Sequence, residues 1–249
     1  MSDDHRPASL AVIGGGAAGF FAAVNTARLN SDLNITIYER SREVLSKVRI
    51  SGGGRCNVTH HCYDPELLSK AYPRGERELR WAFERFDAED TVRWFEECGV
   101  PLKTEQDGRM FPTTDDSATI INCLLEEANK RGVRIRTKTK VERIEPRGDG
   151  RFNLHLYRTS PEAADSVLVA TEATTGNQPM IGLRSWGIQL NHRYLPCLRS
   201  ILGIRFLAIW PGIAVPGAKV EIKNSSYSQT GPVLITHWGL SGPAVLKIS

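Results

Sequence analysis

Three rhythms follow one another at the start of the chain. "SLAVI" at 9–13 is a short apolar run, "GGGAAG" at 14–19 is a cluster of turn formers, and "FFAAVNTARLN" at 20–30 is Ala-rich. Together they predict a buried strand, a tight turn and a helix. "DLNITIYER" then places β-branched residues at alternating positions and ends near an acid. Strand, helix, strand with a crossover of this length implies parallel pairing and an α/β class.

The helical period returns at residues 76–98, where Asp87 and Asp90 resemble a capping box for a helix carrying Val92 and Phe95, with Gly99 as its stop. A further helix is expected from Ser117, with Ile120, Ile121, Leu124, Leu125 and Ala128 on one stripe and Gly132 at its end. Three strands follow: "VRIRTKTKV"; "RFNLHLY", in which Phe152, Leu154 and Tyr157 partly alternate; and "DSVLVAT", apolar enough to be buried on both faces. Arg134, Arg136, Lys138 and Lys140 would share one parity of the first of these, either a solvated strand face or an anion-binding stripe.

From residue 196 onward, turn residues separate short β-rich runs, which predicts a second, sheet-built domain. We therefore expect residues 1–195 to form one domain, after a loose polar tail of seven residues, and residues 196–249 to begin a partial β-rich one on the substrate side. The last run, "AVLKIS", stops at Ser249, which suggests a fragment of a longer protein. No internal repeat or low-complexity tract interrupts the chain.

Composition narrows the class. With 41% hydrophobic and 24% charged residues in 249, the chain can bury a sizeable core. A net charge of +4 falls short of the clustered charge on which phosphate-backbone binders depend, so nucleic acid is not expected as a partner. No apolar run reaches the ~20 residues that span a bilayer, and "MSDDHRPAS" lacks the apolar centre of a signal peptide, so a membrane is not expected and a cytoplasmic setting is. The five cysteines are odd in number and widely spaced, which fits free thiols in a reducing compartment.

Two glycine clusters carry the chemistry. The first, Gly14-Gly15-Gly16-Ala17-Ala18-Gly19, contains G-x-G-x-x-G between a predicted strand and helix. Gly14 would allow the tight turn, Gly16 the approach of backbone N–H groups to a pyrophosphate at the helix N-terminus, and Gly19 close helix–strand packing. Glu39 lies about 20 residues on, where a carboxylate would accept ribose hydroxyls, with Arg40 beside it. The pattern names a dinucleotide without deciding between FAD and NAD.

The second cluster, "SGGGRCN", exposes backbone N–H groups, with Lys47 and Arg55 adding charge suited to a phosphate or an electron-rich ring. It lacks the spacing of a nucleotide-triphosphate P-loop. Cys56, His60, His61 and Cys62 superficially suggest zinc, but with no second ligand pair downstream no metal site is expected. Cys56 reads either as a redox thiol or, preferably, as a packed thiol beside a cofactor.

"AVIGGGAAGFFAA", "SKVRISGGGRCNVTH", "WFEECGVPLKTEQDGRMFPTTDDSA" and "LITHWGLSGPAVLKIS" together resemble the BaiN/YhiN-like NAD(P)/FAD-dependent oxidoreductases, a family that includes aminoacetone-oxidase-type flavoproteins and bile-acid reductases. The resemblance runs over nearly the whole chain. It implies a Rossmann-like FAD-binding domain with a parallel sheet, interrupted by a smaller β-rich domain. By position it places Gly14, Gly15, Gly16, Ala18 and Gly19 at the pyrophosphate and Glu39 with Arg40 at the adenosine ribose. Lys47, Gly53, Gly54, Arg55, Cys56 and Asn57 fall on the flavin side, Val141 at the adenine through its backbone, and Thr171 near the cofactor. Two features depart from the family. Thr171-Glu172-Ala173 stands where relatives carry glycines, and the segment that returns to close the FAD domain is not in the chain.

The expected function is that of an FAD-dependent oxidoreductase, with hydride passing from NAD(P)H or an organic donor to an unsaturated small-molecule substrate or dioxygen. A non-catalytic FAD- or NAD-binding module, a structural fragment and an NAD-only dehydrogenase are the alternatives. No catalytic triad is found or required. His237 reads as a core histidine or a substrate-side acid/base, and Arg109 with Phe111 either as structural loop residues or as cavity lining.

Overall fold

The computed structural model describes residues 7–72, 75–171, 214–221, 228–236, 239–241 and 244–245. The chain divides into two compact units, Met1–Gln189 and Leu190–Ser249.

In the first unit a four-stranded parallel sheet forms the frame. Strands β1 (Ser9–Ile13) and β2 (Asn34–Tyr38) are joined by helix α1 (Ala17–Leu29), which completes the expected strand, turn, helix and strand. With β6 (Arg134–Arg136) and β10 (Ser166–Val169) the strand order is β10-β1-β2-β6. Strand β1 is apolar from Leu10 to Ile13 because both of its faces are covered there. Val12 belongs to an apolar cluster that includes Phe20, Ala23 and Val24 of α1 and Ile120, Leu124 and Ala128 of α6 (Ser117–Lys130). Ala11 and Ile13 point the other way, into a layer made by an antiparallel sheet of β7 (Val141–Pro146), β8 (Phe152–Leu156) and β9 (Glu162–Ala164). Helices, parallel sheet and antiparallel sheet thus form three layers around two apolar seams.

The remaining elements sit between β2 and α6. Short helices α2 (Ser46–Ile50), α3 (Pro65–Lys70) and α4 (Glu76–Phe83) precede α5 (Ala88–Glu97). A small antiparallel sheet orders β3 (Thr59–His60), β5 (Arg109–Pro112) and β4 (Leu102–Thr104). The expected capping box is present: Asp87 accepts from the Asp90 N–H while Asp90 accepts from the Asp87 N–H. It splits the 76–98 helical region into two helices.

Three expectations fail. Residues 133–141 are not one strand, because the chain turns at Lys138 (φ 53°), whose N–H donates to the Ser41 carbonyl. Arg134 and Arg136 stay on β6 while Lys138 and Lys140 fall in the turn, so the basic stripe does not form. Strand β10 is only half covered, with Leu168 37% exposed, since among the described residues it pairs on one side alone. Tyr157 lies beyond the end of β8 and is exposed; the inward positions of β8 are Leu154 and Leu156.

The second unit contains an antiparallel sheet of β11 (Ala214–Glu221), β12 (Ser228–Thr236) and β13 (Gly239–Ser241), consistent with β-rich patterning. Val233 packs with Ala244, Val245, Ala218 and Val220. His237 lies outside the described residues.

Candidate functional site

The first glycine turn is held from three sides. The Gly14 N–H donates to the Tyr38 carbonyl, and the Gly15 carbonyl accepts from the Leu45 N–H. The Gly15 N–H donates to Glu39 Oε2 at 2.8 Å. The other carboxylate oxygen, Oε1, accepts from the Ser41 N–H at 2.7 Å. Burial works against the Glu39 carboxylate, but the N–H donors of Ser41 and Gly15 outweigh it and hold the carboxyl below its usual range. Each oxygen keeps a lone pair for a further hydroxyl donor.

The glycines of this turn differ in what requires them. A Cβ on Gly14, where φ is +117°, would sit 2.6 Å from the Ala170 carbonyl oxygen. One on Gly15 would meet Glu39 and Val44 at 2.9 Å, and one on Gly19 would lie 2.0 Å from the Gly14 carbonyl oxygen. These three belong to the packing of the turn. Gly16 does not. Its φ is −89°, a Cβ there would meet nothing within 4 Å, and it is the N-cap of α1, to which no side chain supplies a cap. Ala18 is exposed in the same first turn of the helix, and Arg40 is exposed beside Glu39.

The second glycine turn follows five-residue α2, a rise of about 7.5 Å from Leu45, which touches Gly15. Gly52, Gly53, Gly54 and Cys56 all have positive φ, between 56° and 89°. A Cβ on Gly52 would meet the Asn57 N–H and the Phe111 ring, whereas the space over Gly53 and Gly54 is open. The turn is braced from behind. The Cys56 N–H donates to the Ser51 carbonyl, the Ser51 hydroxyl to the Val48 carbonyl, and the Asn57 amide, nitrogen inward, reaches the Thr59 and Met110 carbonyls.

Arg55 lies with its guanidinium 4.0 Å over the Phe111 ring and pairs with Glu105 and Asp115. It anchors the turn to the β4–β5 hairpin. Arg109 covers the same ring at 5.3 Å and pairs with Asp107 and Glu105. Phe111 is fully buried, which fits the structural reading of this pair. Cys56 is buried too, and burial pushes its thiol up, opposed by a contact with Ser51, as suits a packed thiol better than a nucleophile. His60 bonds to the Asp107 carbonyl and His61 to the Tyr63 hydroxyl. Among the described residues no three His, Cys, Asp or Glu side chains are placed to hold a metal.

Two distant predictions are drawn toward Glu39. The Thr139 N–H donates to the Glu39 carbonyl, which sets buried Val141 two residues beyond it at the start of β7. Thr171, exposed after β10, abuts Gly14: its N–H lies 3.2 Å from where a Gly14 Cβ would stand. Lys47 is on α2 between the two turns. Sequence reasoning missed the residues that position these groups. They are Ser41 and Leu45 at the first turn, Glu105 and Asp115 behind Arg55, and Ser117, whose hydroxyl donates to the Arg49 carbonyl and pins α2. Only Ser117, already expected at a helix start, left a signal, because the others act through backbone groups or pairings distant in sequence.

A parallel β-α-β frame with a glycine turn at the helix N-terminus and an acid at the end of the second strand defines the Rossmann-like nucleotide-binding class. Residues 8–194 match the model described as the HI0933-like protein Rossmann domain, and residues 206–249 match the HI0933-like barrel and H2TH domain. The chain belongs to the HI0933-like family, the family of FAD-dependent oxidoreductases that its sequence resembles. It is 28% identical to a ribosomal RNA dihydrouridine synthase of Haemophilus influenzae, over 96% of this chain and 60% of the relative. Against a 3-dehydro-bile acid delta(4,6)-reductase of Clostridium scindens the identity is 25%, over 96% and 59%. The chain therefore spans about 60% of the length of these relatives. Among solved structures, the 3-ketosteroid-delta4-(5alpha)-dehydrogenase of Rhodococcus jostii shares the fold at a TM-score of 0.50 and 16% identity, over 69% of this chain and 47% of that one.

Proposed function

We propose that the protein binds FAD across the two glycine turns and serves an oxidoreductase that delivers hydride to a carbon–carbon double bond conjugated to a carbonyl. The observation that carries the binding half is Gly16: neither its backbone angle nor any neighbour requires glycine, yet it faces open space at an uncapped helix N-terminus. A pyrophosphate there explains the residue, since bare backbone amides and the helix dipole favour an anion.

The substrate class is supported by the relatives' names. One is a reductase of 4,6-unsaturated 3-dehydro-bile acids and the other makes dihydrouridine; both name the reduction of a double bond conjugated with a carbonyl. When bound, FAD supplies a ring that accepts and returns hydride, with NAD(P)H or an organic donor as its source.

The chain's own residues hold and orient. Gly14, Gly15 and Gly19 shape the turn, Gly16 and Ala18 present amides to the pyrophosphate at the helix N-terminus, and Glu39 accepts the ribose hydroxyls with Arg40 alongside. Val141 offers its backbone to the adenine. Gly53 and Gly54 let the flavin approach their N–H groups. Lys47 and Thr171 border the cofactor, while Arg55, Cys56 and Asn57 hold the second turn in shape. The Glu39 carboxylate also disfavours a 2′-phosphate at the sugar.

The test is an absorption spectrum of the purified full chain, with and without added FAD, followed by anaerobic NADH or NADPH. Flavin bands that bleach with the donor, and recover with a conjugated enone, support the reading. Flavin bands that never bleach indicate a binding module. No flavin uptake, with nicotinamide binding alone, overturns the cofactor. Recovery only with uridine-containing RNA would move the substrate from small molecules to nucleic acid.

A further inference from the structure

At the far end of α1 from the first glycine turn, two cysteines lie beside a partly buried ion pair. Arg28, in the last turn of α1, donates from Nη2 to Cys98 Sγ at 3.0 Å and to Glu127 Oε2 at 3.2 Å. Cys98 caps the C-terminus of α5 and is half-buried. Cys123, on α6 one turn before Glu127, is buried in the same apolar cluster against which Cys98 packs. Two thiols beside one ion pair, one of them bonded by its guanidinium, have the ingredients of a redox pair: an attacking sulfur next to a cation and a second sulfur nearby to resolve it.

We propose that Cys98 and Cys123 form a peroxide-sensitive dithiol, with Cys98 the attacking and Cys123 the resolving residue. The Cys98 sulfur attacks one oxygen of hydrogen peroxide and the O–O bond breaks. The other oxygen leaves as hydroxide and takes the thiol proton to become water, so that Cys98 is left as a sulfenic acid. The Cys123 sulfur then attacks the Cys98 sulfur and the S–O bond breaks. The departing hydroxide takes the Cys123 proton as a second water. Two thiols lose two electrons, and one peroxide is reduced to two waters. Roles follow from the surroundings. Arg28 places positive charge at the sulfur on which negative charge develops during attack. Cys123 is sealed in the core, where burial, then the neighbouring Cys98, push its thiol up to about 12 and keep it a poor first attacker.

The cross-link would close residues 98–123 on themselves. That loop holds β4 and β5 with Glu105, Asp115 and Phe111, the groups that anchor Arg55 and the second glycine turn. The oxidation state of the pair is thereby felt by the turn through the hairpin that supports it.

The experiment treats the reduced full chain with a small excess of hydrogen peroxide, blocks remaining thiols with N-ethylmaleimide, and maps non-reduced peptides by mass spectrometry. A peptide joining Cys98 to Cys123, lighter by about 2 Da than the pair of thiols and restored by dithiothreitol, is expected. The oxidised chain should melt about 5 °C or more above the reduced one, because the closed loop restricts the unfolded state. Cys123→Ser should trap a dimedone-reactive sulfenic acid at Cys98. Arg28→Gln should slow oxidation by about tenfold, and Arg28→Lys by less. Peroxide consumed first at Cys62, with Cys98 and Cys123 both still alkylated, overturns the proposal, as does over-oxidation of either without a cross-link. The wild-type map decides even where an Arg28 variant fails to fold.

Discussion

Gly16→Val separates the cost to folding from the cost to binding. At the N-cap of α1 the new side chain enters open space, so the fold loses only what a β-branched residue costs in place of glycine at an N-cap, about 1 kcal/mol at most. In a domain of this size that lowers the melting temperature by about 2–4 °C. The same open space is where the proposed pyrophosphate meets the amides. Two methyl groups there would break two charge-assisted hydrogen bonds worth about 1.5–3 kcal/mol each, together about 3–6 kcal/mol. That is a weakening of FAD affinity by about 10²- to 10⁴-fold. The assay is flavin stoichiometry after gel filtration, with the dissociation constant taken from flavin fluorescence on the apoprotein and the melt followed by circular dichroism. Wild-type flavin retention by a well-folded Gly16→Val chain would refute the assignment of this turn to the cofactor.

Gly19→Ala should do the reverse. Its Cβ would stand 2.0 Å from the Gly14 carbonyl oxygen, so α1 must shift off β1 and stability should fall by about 3 kcal/mol or more, read by urea unfolding of the apoprotein. Arg55→Lys should leave the melting temperature nearly unchanged, its ion pairs being partly exposed, yet weaken FAD retention about tenfold by loosening the second turn; a thermal melt and a titration with FAD check the two. Glu127 is buried with Arg28, Lys130 and Arg131 around it. Burial alone would raise its pKa, but the hydrogen bonds from Lys130 and Arg28 prevail and lower it. Because the folded value lies below the unfolded one, its contribution is full above pH 4.5 and lost as pH falls through the folded value. Glu127→Gln should therefore flatten the loss of stability below pH 4.5 while lowering stability at pH 7 by about 1–3 kcal/mol, measured by urea melts across pH.

The sequence by itself determined the β1–α1–β2 frame, the capping box at Asp87, the α6 stripe and the nucleotide-binding class. Each is written in local periodicity or in a short motif whose spacing the backbone must obey. Tertiary structure decided what each motif residue does. Gly14, Gly15, Gly16 and Gly19 look alike in the chain, but three are fixed by internal neighbours and one by open space. Arg55 reads as a charge free to meet a ligand until Glu105, Asp115 and Phe111, fifty or more residues away, are folded against it. The basic residues at 134–140 share a parity in sequence, yet the turn at Lys138 divides them, because the chain must leave the parallel sheet for the layer that covers its other face. Local patterns specify elements; only packing between segments distant in sequence settles which groups remain available for chemistry.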